Sequence, residues 1–238
     1  MSLSIGIVGL PNVGKSTLFT ALTDQTGLAA NYPFATIDPN VGIVPVPDER
    51  LGKLAEIVHP GRIVPATVEF VDIAGLVKGA SEGEGLGNQF LANIRETDAI
   101  CEVVRYFSDP DVIRHESSHD PISDVEIRTE LVLADLATLE HALPRLEKDS
   151  KRDKVNVPKY EIAKRMGDWL NEGNPARLME MTDEEHELLY DLHLLTMKPV
   201  MYLANVDEDQ VTADFEEIDG VKPLPICAGR SRARRARR

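Results

Sequence analysis

Cysteine is scarce in this chain, and long apolar runs are absent. Two cysteines, Cys101 and Cys227, are too few for a disulfide framework, so a reducing compartment is expected. No apolar stretch is long enough to cross a bilayer, and the first residues lack the basic and apolar regions of a signal peptide. These features predict a cytoplasmic protein without a membrane partner.

The charge balance is acidic, with a formal net charge of −14. That value argues against a general electrostatic affinity for nucleic acid, and sequence-specific DNA binding is not expected. One segment departs from the average, since residues 230–238 contain six arginines. The hydrophobic fraction of 42% is that of an ordinary globular protein, which excludes a disordered chain.

Short apolar segments alternate with helical patterns along most of the sequence, and this order predicts an α/β fold with a mostly parallel sheet. Asp48 is a plausible cap for the first helix after residue 45. The candidate buried strands are bounded by chain-breaking residues and are rich in Val and Ile: Leu3–Gly9, Val68–Ile73, Ala99–Phe107, Val200–Asn205 and Leu224–Ala228.

The middle of the chain has a different pattern, which predicts helices packed in a hairpin. Apolar residues between Val125 and Leu146 follow alternating steps of three and four, a heptad-like seam. Pro144 lies inside this seam and is expected to kink or end the helix. A second apolar stripe follows a charged turn, and Thr182 to Glu185 reads as the capping box of a third helix.

The strongest chemical signal is the segment Gly9–Ser16, which matches a phosphate-binding P-loop between a strand and a helix. Successive backbone N–H groups at the helix start can cradle phosphates. Lys15 would reach the β and γ phosphates, Ser16 would ligate Mg²⁺, and Thr17 would contact the α phosphate. The predicted nucleotide-binding residues of this loop are Gly9, Asn12, Val13, Gly14, Lys15, Ser16 and Thr17.

A second motif, from Asp72 to Gly75, closes a candidate strand at a suitable distance from the P-loop. The Asp72 carboxylate would hold Mg²⁺ through a water molecule, and the Gly75 N–H would meet the γ phosphate. Thr36 is the only threonine between Thr26 and Thr67 and is predicted to supply a second hydroxyl to the metal.

The base site is predicted where the strand Val200–Asn205 ends. GTPases of this class read guanine with an Asn-Lys-x-Asp run, whereas this chain has Asn205, Val206, Asp207 and Glu208. The missing lysine and the longer Glu208 weaken a guanine interpretation. Asn205 can still serve adenine, because an amide pairs with the N6 and N7 groups of that base.

These motifs together resemble the YchF family, the Obg-like ATPase group of P-loop NTPases. The resemblance is carried by Gly9–Ser16, Asn31–Asn40, Val71–Ala80 and Asn205–Glu208, and it extends from Ser2 to about Ala228. It implies preference for ATP over GTP, dependence on Mg²⁺, binding to the ribosome and its large subunit, and a helical hairpin inserted in the G domain. We therefore expect G-domain parts at residues 1–118 and 198–229 and a hairpin at residues 119–197.

Two positions bear on hydrolysis. Leu76 stands where Ras-like enzymes place a water-orienting glutamine, and an aliphatic side chain cannot take that role. No side chain stands out as a general base, so slow hydrolysis is expected. Asn12 matches an asparagine that helps to hold K⁺ in some related NTPases, and local support of the loop is the alternative.

The end of the sequence departs from the family pattern. Members of the family continue into a TGS domain, which this sequence lacks, and the arginine-rich residues 230–238 replace the expected start of a final helix. A truncated or frame-shifted end is one interpretation of this segment. A basic RNA-binding arm is the other.

The favoured function is a Mg²⁺-dependent, ribosome-associated ATPase that acts as a nucleotide switch. Two alternatives remain open at this point. The first is an Obg-type GTPase. The second is a truncated ribosome- or RNA-binding scaffold without turnover, in which the basic turn Lys148–Lys154 carries the interaction.

Overall fold

The structure is a computed structural model, and it describes residues 2–24, 40–73, 86–108 and 125–228. Within these ranges the chain forms a six-stranded sheet flanked by helices. The predicted α/β class with a mostly parallel sheet is confirmed.

The sheet has the strand order β2-β3-β1-β4-β5-β6, and only β2 runs antiparallel to its neighbour. All five predicted strands are present, with ends that differ by at most two residues. The strands are β1 Leu3–Val8, β2 Val41–Pro45, β3 Thr67–Asp72, β4 Ala99–Arg105, β5 Val200–Asn205 and β6 Leu224–Ile226. Sequence reasoning missed β2, a short edge strand with a glycine at its second position and a proline at its end.

In the described parts of the chain, six α-helices accompany the sheet, and short 3₁₀ turns link the later ones. Their bounds are α1 Lys15–Asp24, α2 Glu49–Val58, α3 Leu86–Glu96, α4 Val125–Arg152, α5 Val157–Asn171 and α6 Asp183–Leu189. Asp48 caps α2 as predicted, although the described parts of the chain bury none of the residues of this helix. Of the described helices, none has both the length and the apolar character needed to span a membrane.

One hydrophobic core lies against the sheet. It contains Ile7 and Val8 of β1, Val103 of β4 and Ile73, which directly follows β3, together with buried residues of α1 and α3. Three residues from the first turns of α4 join the same core, namely Ile127, Leu131 and Ala134. The start of α4 is therefore anchored on the sheet.

A second core lies among α4, α5 and α6, where Leu139, Leu146, Met166 and Leu170 are almost fully buried. Of the two effects predicted for Pro144, a kink or an end of the helix, the end is wrong, because the long helix passes through this residue. Pro144 lies on the exposed side of α4, and the carbonyl that loses its helical partner can be solvated there. Helix α4 thus contributes to both cores.

The buried Asp135 ties α4 to the segment that leads into β5. Its carboxylate accepts hydrogen bonds from Leu195 N at 2.7 Å, Thr196 N at 2.8 Å and the Thr196 hydroxyl at 2.6 Å. Burial raises the pKa of Asp135, and the three hydrogen bonds oppose that shift. The Thr196 hydroxyl in turn accepts from Ala176 N at 2.9 Å. One carboxylate therefore fixes the return of the chain to the sheet.

Asp135→Ala should lower the free energy of unfolding by about 3 kcal/mol, because two buried backbone N–H groups lose their acceptor. Urea denaturation of the purified chain measures this change. Asp168→Ala, at an exposed position of α5, is the matched control and should stay within about 0.5 kcal/mol of the original chain. Equal stability of the two variants would contradict a stabilising role for the hydrogen bonds to Asp135.

Candidate nucleotide-binding site

The candidate phosphate loop lies at the carboxyl end of β1. This strand is flanked by β3 and β4, and all three run parallel. Helix α1 starts at Lys15, and its first hydrogen bond joins Leu18 N to Gly14 O at 3.0 Å. Crevices at this edge of an open parallel sheet are where such folds bind ligands.

The path of the loop requires small or permissive residues. Gly9 has φ 155°, and a Cβ there would lie 2.7 Å from the carbonyl oxygen of Val103. Gly14 has φ 101°, and a Cβ there would collide with the side-chain amide of Asn205. Asn12 adopts a left-handed conformation with φ 63°, which asparagine tolerates better than most residues. The backbone shape therefore explains both glycines of the motif.

Lys15 is buried at the start of α1, and the loop itself holds its ammonium group. The Nζ atom donates to the carbonyl oxygens of Gly9 and Leu10, each at 2.8 Å. Burial lowers the pKa of Lys15, while the nearby Asp72 carboxylate acts in the opposite direction. The cation is thus inside the loop, where a phosphate oxygen can replace a carbonyl oxygen as its partner.

Oxygen ligands suited to Mg²⁺ lie on both sides of this lysine. Ser16 is exposed in the first turn of α1, and Asp72 ends β3 at the position paired with Ile7 of β1. A hydroxyl and a carboxylate fit a metal that prefers oxygen ligands and keeps several waters. Among the described residues, no three His, Cys, Asp or Glu side chains converge to form a metal cage.

Three of the predicted site residues, Thr36, Gly75 and Leu76, lie outside the described residues. The second metal hydroxyl, the γ-phosphate contact and the position of the missing glutamine remain predictions.

At the predicted base site, Asn205 is 5% exposed and joins two loops. Its amide nitrogen donates to Val13 O at 2.8 Å, and its amide oxygen accepts from Ala228 N at 3.1 Å. Val206 beside it is buried, and its N–H donates to Ile226 O at 2.8 Å. An amide has one further N–H and one further lone pair, so Asn205 keeps capacity for a base.

Glu208, the other predicted base-site residue, lies on the surface in a single 3₁₀ turn, Glu208–Gln210. Its side chain is therefore placed differently from those of Asn205 and Val206, which the protein encloses. Thr17 is half-buried and Val13 is buried, both beside the loop.

Sequence reasoning missed the segment that follows β4. The backbone N–H groups of Tyr106 and Phe107 donate to Asn205 O at 2.8 and 3.0 Å. Ser108 N donates to the Asp207 carboxylate at 3.0 Å. These contacts support the base site from the side of β4. No local sequence pattern predicts these contacts, because Ser108 and Asp207 are 99 positions apart in the chain.

Comparisons with known proteins agree with this geometry. The family model described as "50S ribosome-binding GTPase" matches residues 4–135. The Bacillus subtilis protein named "Ribosome-binding ATPase YchF" is 55% identical over 213 residues, which are 89% of this chain and 58% of that protein. The Schizosaccharomyces pombe YchF GTPase structure superimposes with a TM-score of 0.81 at 39% identity, covering 98% of this chain and 67% of that chain.

This chain belongs to the YchF family. A further YchF relative, from Haemophilus ducreyi, is 50% identical over 238 residues, which are 96% of this chain and 66% of that protein. The chain therefore spans 58 to 66% of the length of these two curated relatives. The family assignment made from the four sequence motifs is confirmed.

The bridging role of Asn205 in this YchF-family chain can be tested by changing one atom group. Asn205→Asp keeps an acceptor for Ala228 N but replaces the donor to Val13 O with a buried negative oxygen. We expect a loss of about 3 kcal/mol in the free energy of unfolding.

Urea denaturation measures the loss, and Asn171→Asp is the matched control at the exposed end of α5. An aspartate near a helix C-terminus should cost less than about 1 kcal/mol. A change at Asn205 no larger than the control would show that the bridge contributes little.

Proposed function

We propose that this chain is a Mg²⁺-dependent ATPase that binds ATP in preference to GTP and acts as a ribosome-associated nucleotide switch. The observation that carries the proposal is the buried Lys15 inside a loop that Asn205 ties to the end of β6. The predicted phosphate and base positions would thereby share one frame. The names of the YchF relatives, which refer to ribosome binding and to ATPase activity, support the same function.

Different residues of the chain would bind different parts of the triphosphate. Lys15 would exchange its contacts with Gly9 O and Leu10 O for β- and γ-phosphate oxygens. Loop N–H groups from Val13 to Thr17 would receive the α and β phosphates. Ser16, Thr36 and, through water, Asp72 would hold Mg²⁺, which supplies charge neutralisation at the phosphates when bound.

Preference for adenine would follow from the residues beside the buried amide. Asn205 serves either purine, because both bases carry N7. A lysine that could cover a guanine is replaced by the buried Val206. Glu208 is one carbon longer than the aspartate that reads guanine in related enzymes, and it starts from the surface. Adenine has an acceptor at N1, which a carboxylate beside it would repel. A Glu208 carboxylate that stays in solvent would avoid this repulsion.

The GTPase alternative keeps some support, because the S. pombe YchF structure is titled a GTPase and the matching family model also names GTP. Thermal unfolding with ATP or GTP, each with Mg²⁺, separates the two. At a ligand concentration 100 times Kd, native-state binding adds about 2.7 kcal/mol of stability. We expect the larger stabilisation with ATP.

Lys15→Ala should remove most of the stabilisation by either nucleotide, and Glu208→Asp should move the preference toward GTP. Lys53→Ala, at an exposed position of α2, is the control. A larger effect of GTP on the original chain would favour the Obg-type GTPase instead.

Hydrolysis by the isolated chain should be slow, below the range of about 1–100 s⁻¹ that is typical of kinases. The reason is Leu76, which cannot orient a water molecule. If Asn12 helps to hold K⁺, turnover should be faster in KCl than in NaCl, and Asn12→Ala should remove that difference. Phosphate release under single-turnover conditions measures both. Turnover within the kinase range in NaCl would contradict the proposal of slow hydrolysis. ATP binding with no turnover at all would favour the scaffold alternative.

Association with the large ribosomal subunit is proposed from the relatives' names and from the family description. The cytoplasmic location follows from that partner.

A further inference from the structure

The last turns of α4 carry a row of cations on one face. Arg145, Lys148 and Arg152 are spaced by three and four residues, so they lie on the same side of the helix. All three are exposed. At 1.5 Å per residue the row is about 10 Å long. We call these three residues the basic stripe.

The basic stripe faces away from the second hydrophobic core. Leu139 and Leu146 lie on the opposite side of α4, which packs into that core, and both are at most 5% exposed. Rotating the helix to hide the cations would expose these leucines, so the orientation of the basic stripe is fixed by apolar packing.

The cations of the basic stripe are not used within the described protein. Neighbouring cations are paired: Lys151 contacts Glu147 at 2.6 Å, and Lys159 contacts Asp191 at 2.6 Å. In contrast, Arg145, Lys148 and Arg152 form no ion pair and donate no side-chain hydrogen bond within residues 2–24, 40–73, 86–108 and 125–228.

The nearby acids compensate the basic stripe only in part. Glu147 is held by Lys151, and the carboxylate of Asp153 caps the next turn by accepting from Val155 N at 3.0 Å. Asp149, half-buried and four residues after Arg145 on α4, lies beside the stripe but forms no ion pair with it within the described residues. Three cations in line, none of them in an ion pair in the part of the chain that the structure describes, are a local exception on a chain of net charge −14. Such a segregated row attracts a polyanion that the rest of the surface repels.

The surroundings of the basic stripe indicate which polyanion fits. No large hydrophobic side chain between residues 141 and 152 of α4 is exposed, and the next exposed one along the chain, Val155, lies beyond the end of the helix. Protein interfaces depend on buried aromatic or aliphatic anchors, which this face does not offer. Contacts to a sugar–phosphate backbone need only positioned cations and hydrogen-bond donors, and arginine and lysine are the usual ones.

We propose that the basic stripe, Arg145, Lys148 and Arg152, is a contact surface for the phosphate backbone of RNA. The proposal rests on the ribosome association proposed above and names the surface that makes it. It also revises the basic turn Lys148–Lys154 suggested by the sequence. The revised surface gains Arg145 and loses two lysines: Lys151, which is already paired with Glu147, and Lys154, which lies in the 3₁₀ turn beyond the end of α4.

The test measures binding of the whole chain to bacterial 50S subunits and to protein-free 23S ribosomal RNA across a range of KCl concentrations. The variant replaces the basic stripe by Arg145→Gln, Lys148→Gln and Arg152→Gln. The control carries Lys53→Gln, Arg62→Gln and Lys164→Gln, three exposed cations elsewhere, so both variants change net charge equally. Stabilisation by ATP reports that each variant retains a folded nucleotide site.

Each lost phosphate contact should make the plot of log affinity against log salt shallower by about 0.7–0.9. We therefore expect the slope of the stripe variant to be shallower by about 2 to 3 on both probes. The control should keep the original slope within about 0.5. An equal change in both variants would mean that only net charge matters, which overturns the proposal.

The two probes separate this proposal from the proposed function. Weaker binding of the stripe variant to 50S subunits with unchanged binding to 23S RNA would assign the surface to a ribosomal protein and overturn the RNA contact. If the original chain binds RNA through the stripe but does not bind 50S subunits, the ribosome association fails and the RNA contact stands. If the original chain binds neither probe, both fail.

Discussion

The hydrogen bonds of Asn205 are the constraint on which the nucleotide site depends. One amide joins the phosphate loop, through Val13 O, to the segment after β6, through Ala228 N. The bridge also explains Gly14, because any Cβ there would collide with the amide. Because Asn205 is the last residue of β5, both hydrogen bonds start from a residue whose backbone is fixed in the sheet. Hydrogen bonds to both the oxygen and the nitrogen of a buried amide offset the cost of removing it from water. Loss of either bond would leave part of that cost uncompensated.

A second constraint concerns how the helical region is attached. Helix α4 is anchored on the sheet by Ile127 and Leu131 and then continues into the separate core that it shares with α5 and α6. Asp135 lies between these two apolar regions and holds the chain where it returns toward β5. The helical region is thus joined to the sheet by continuous packing and by a buried carboxylate. A cation on the outer face of α4 is consequently held at a defined distance from the nucleotide site.

The sequence was sufficient for local features and insufficient for long-range ones. The phosphate loop, five of six strands and the capping box at Thr182 all follow from short patterns, and each is present. Strand β2 was missed because its pairing with β3, and not its composition, makes it a strand. The helix that Asp48 was expected to cap is present, yet none of its residues is buried by the described segments, and Leu54 is 55% exposed. Spacing defines a stripe on a helix, but only tertiary contacts decide whether the stripe is covered.

The long-range contacts also bear on how a P-loop fold could change its preferred base. The bridge from Asn205 to Val13 and Ala228 is backbone-directed and does not depend on which purine is bound. The fold can therefore keep this frame while side chains beside it vary. Position 206 faces inward and position 208 faces solvent, so a change at 208 need not disturb the core. If Glu208 selects the base as proposed, base selection is separable from the stability of the site.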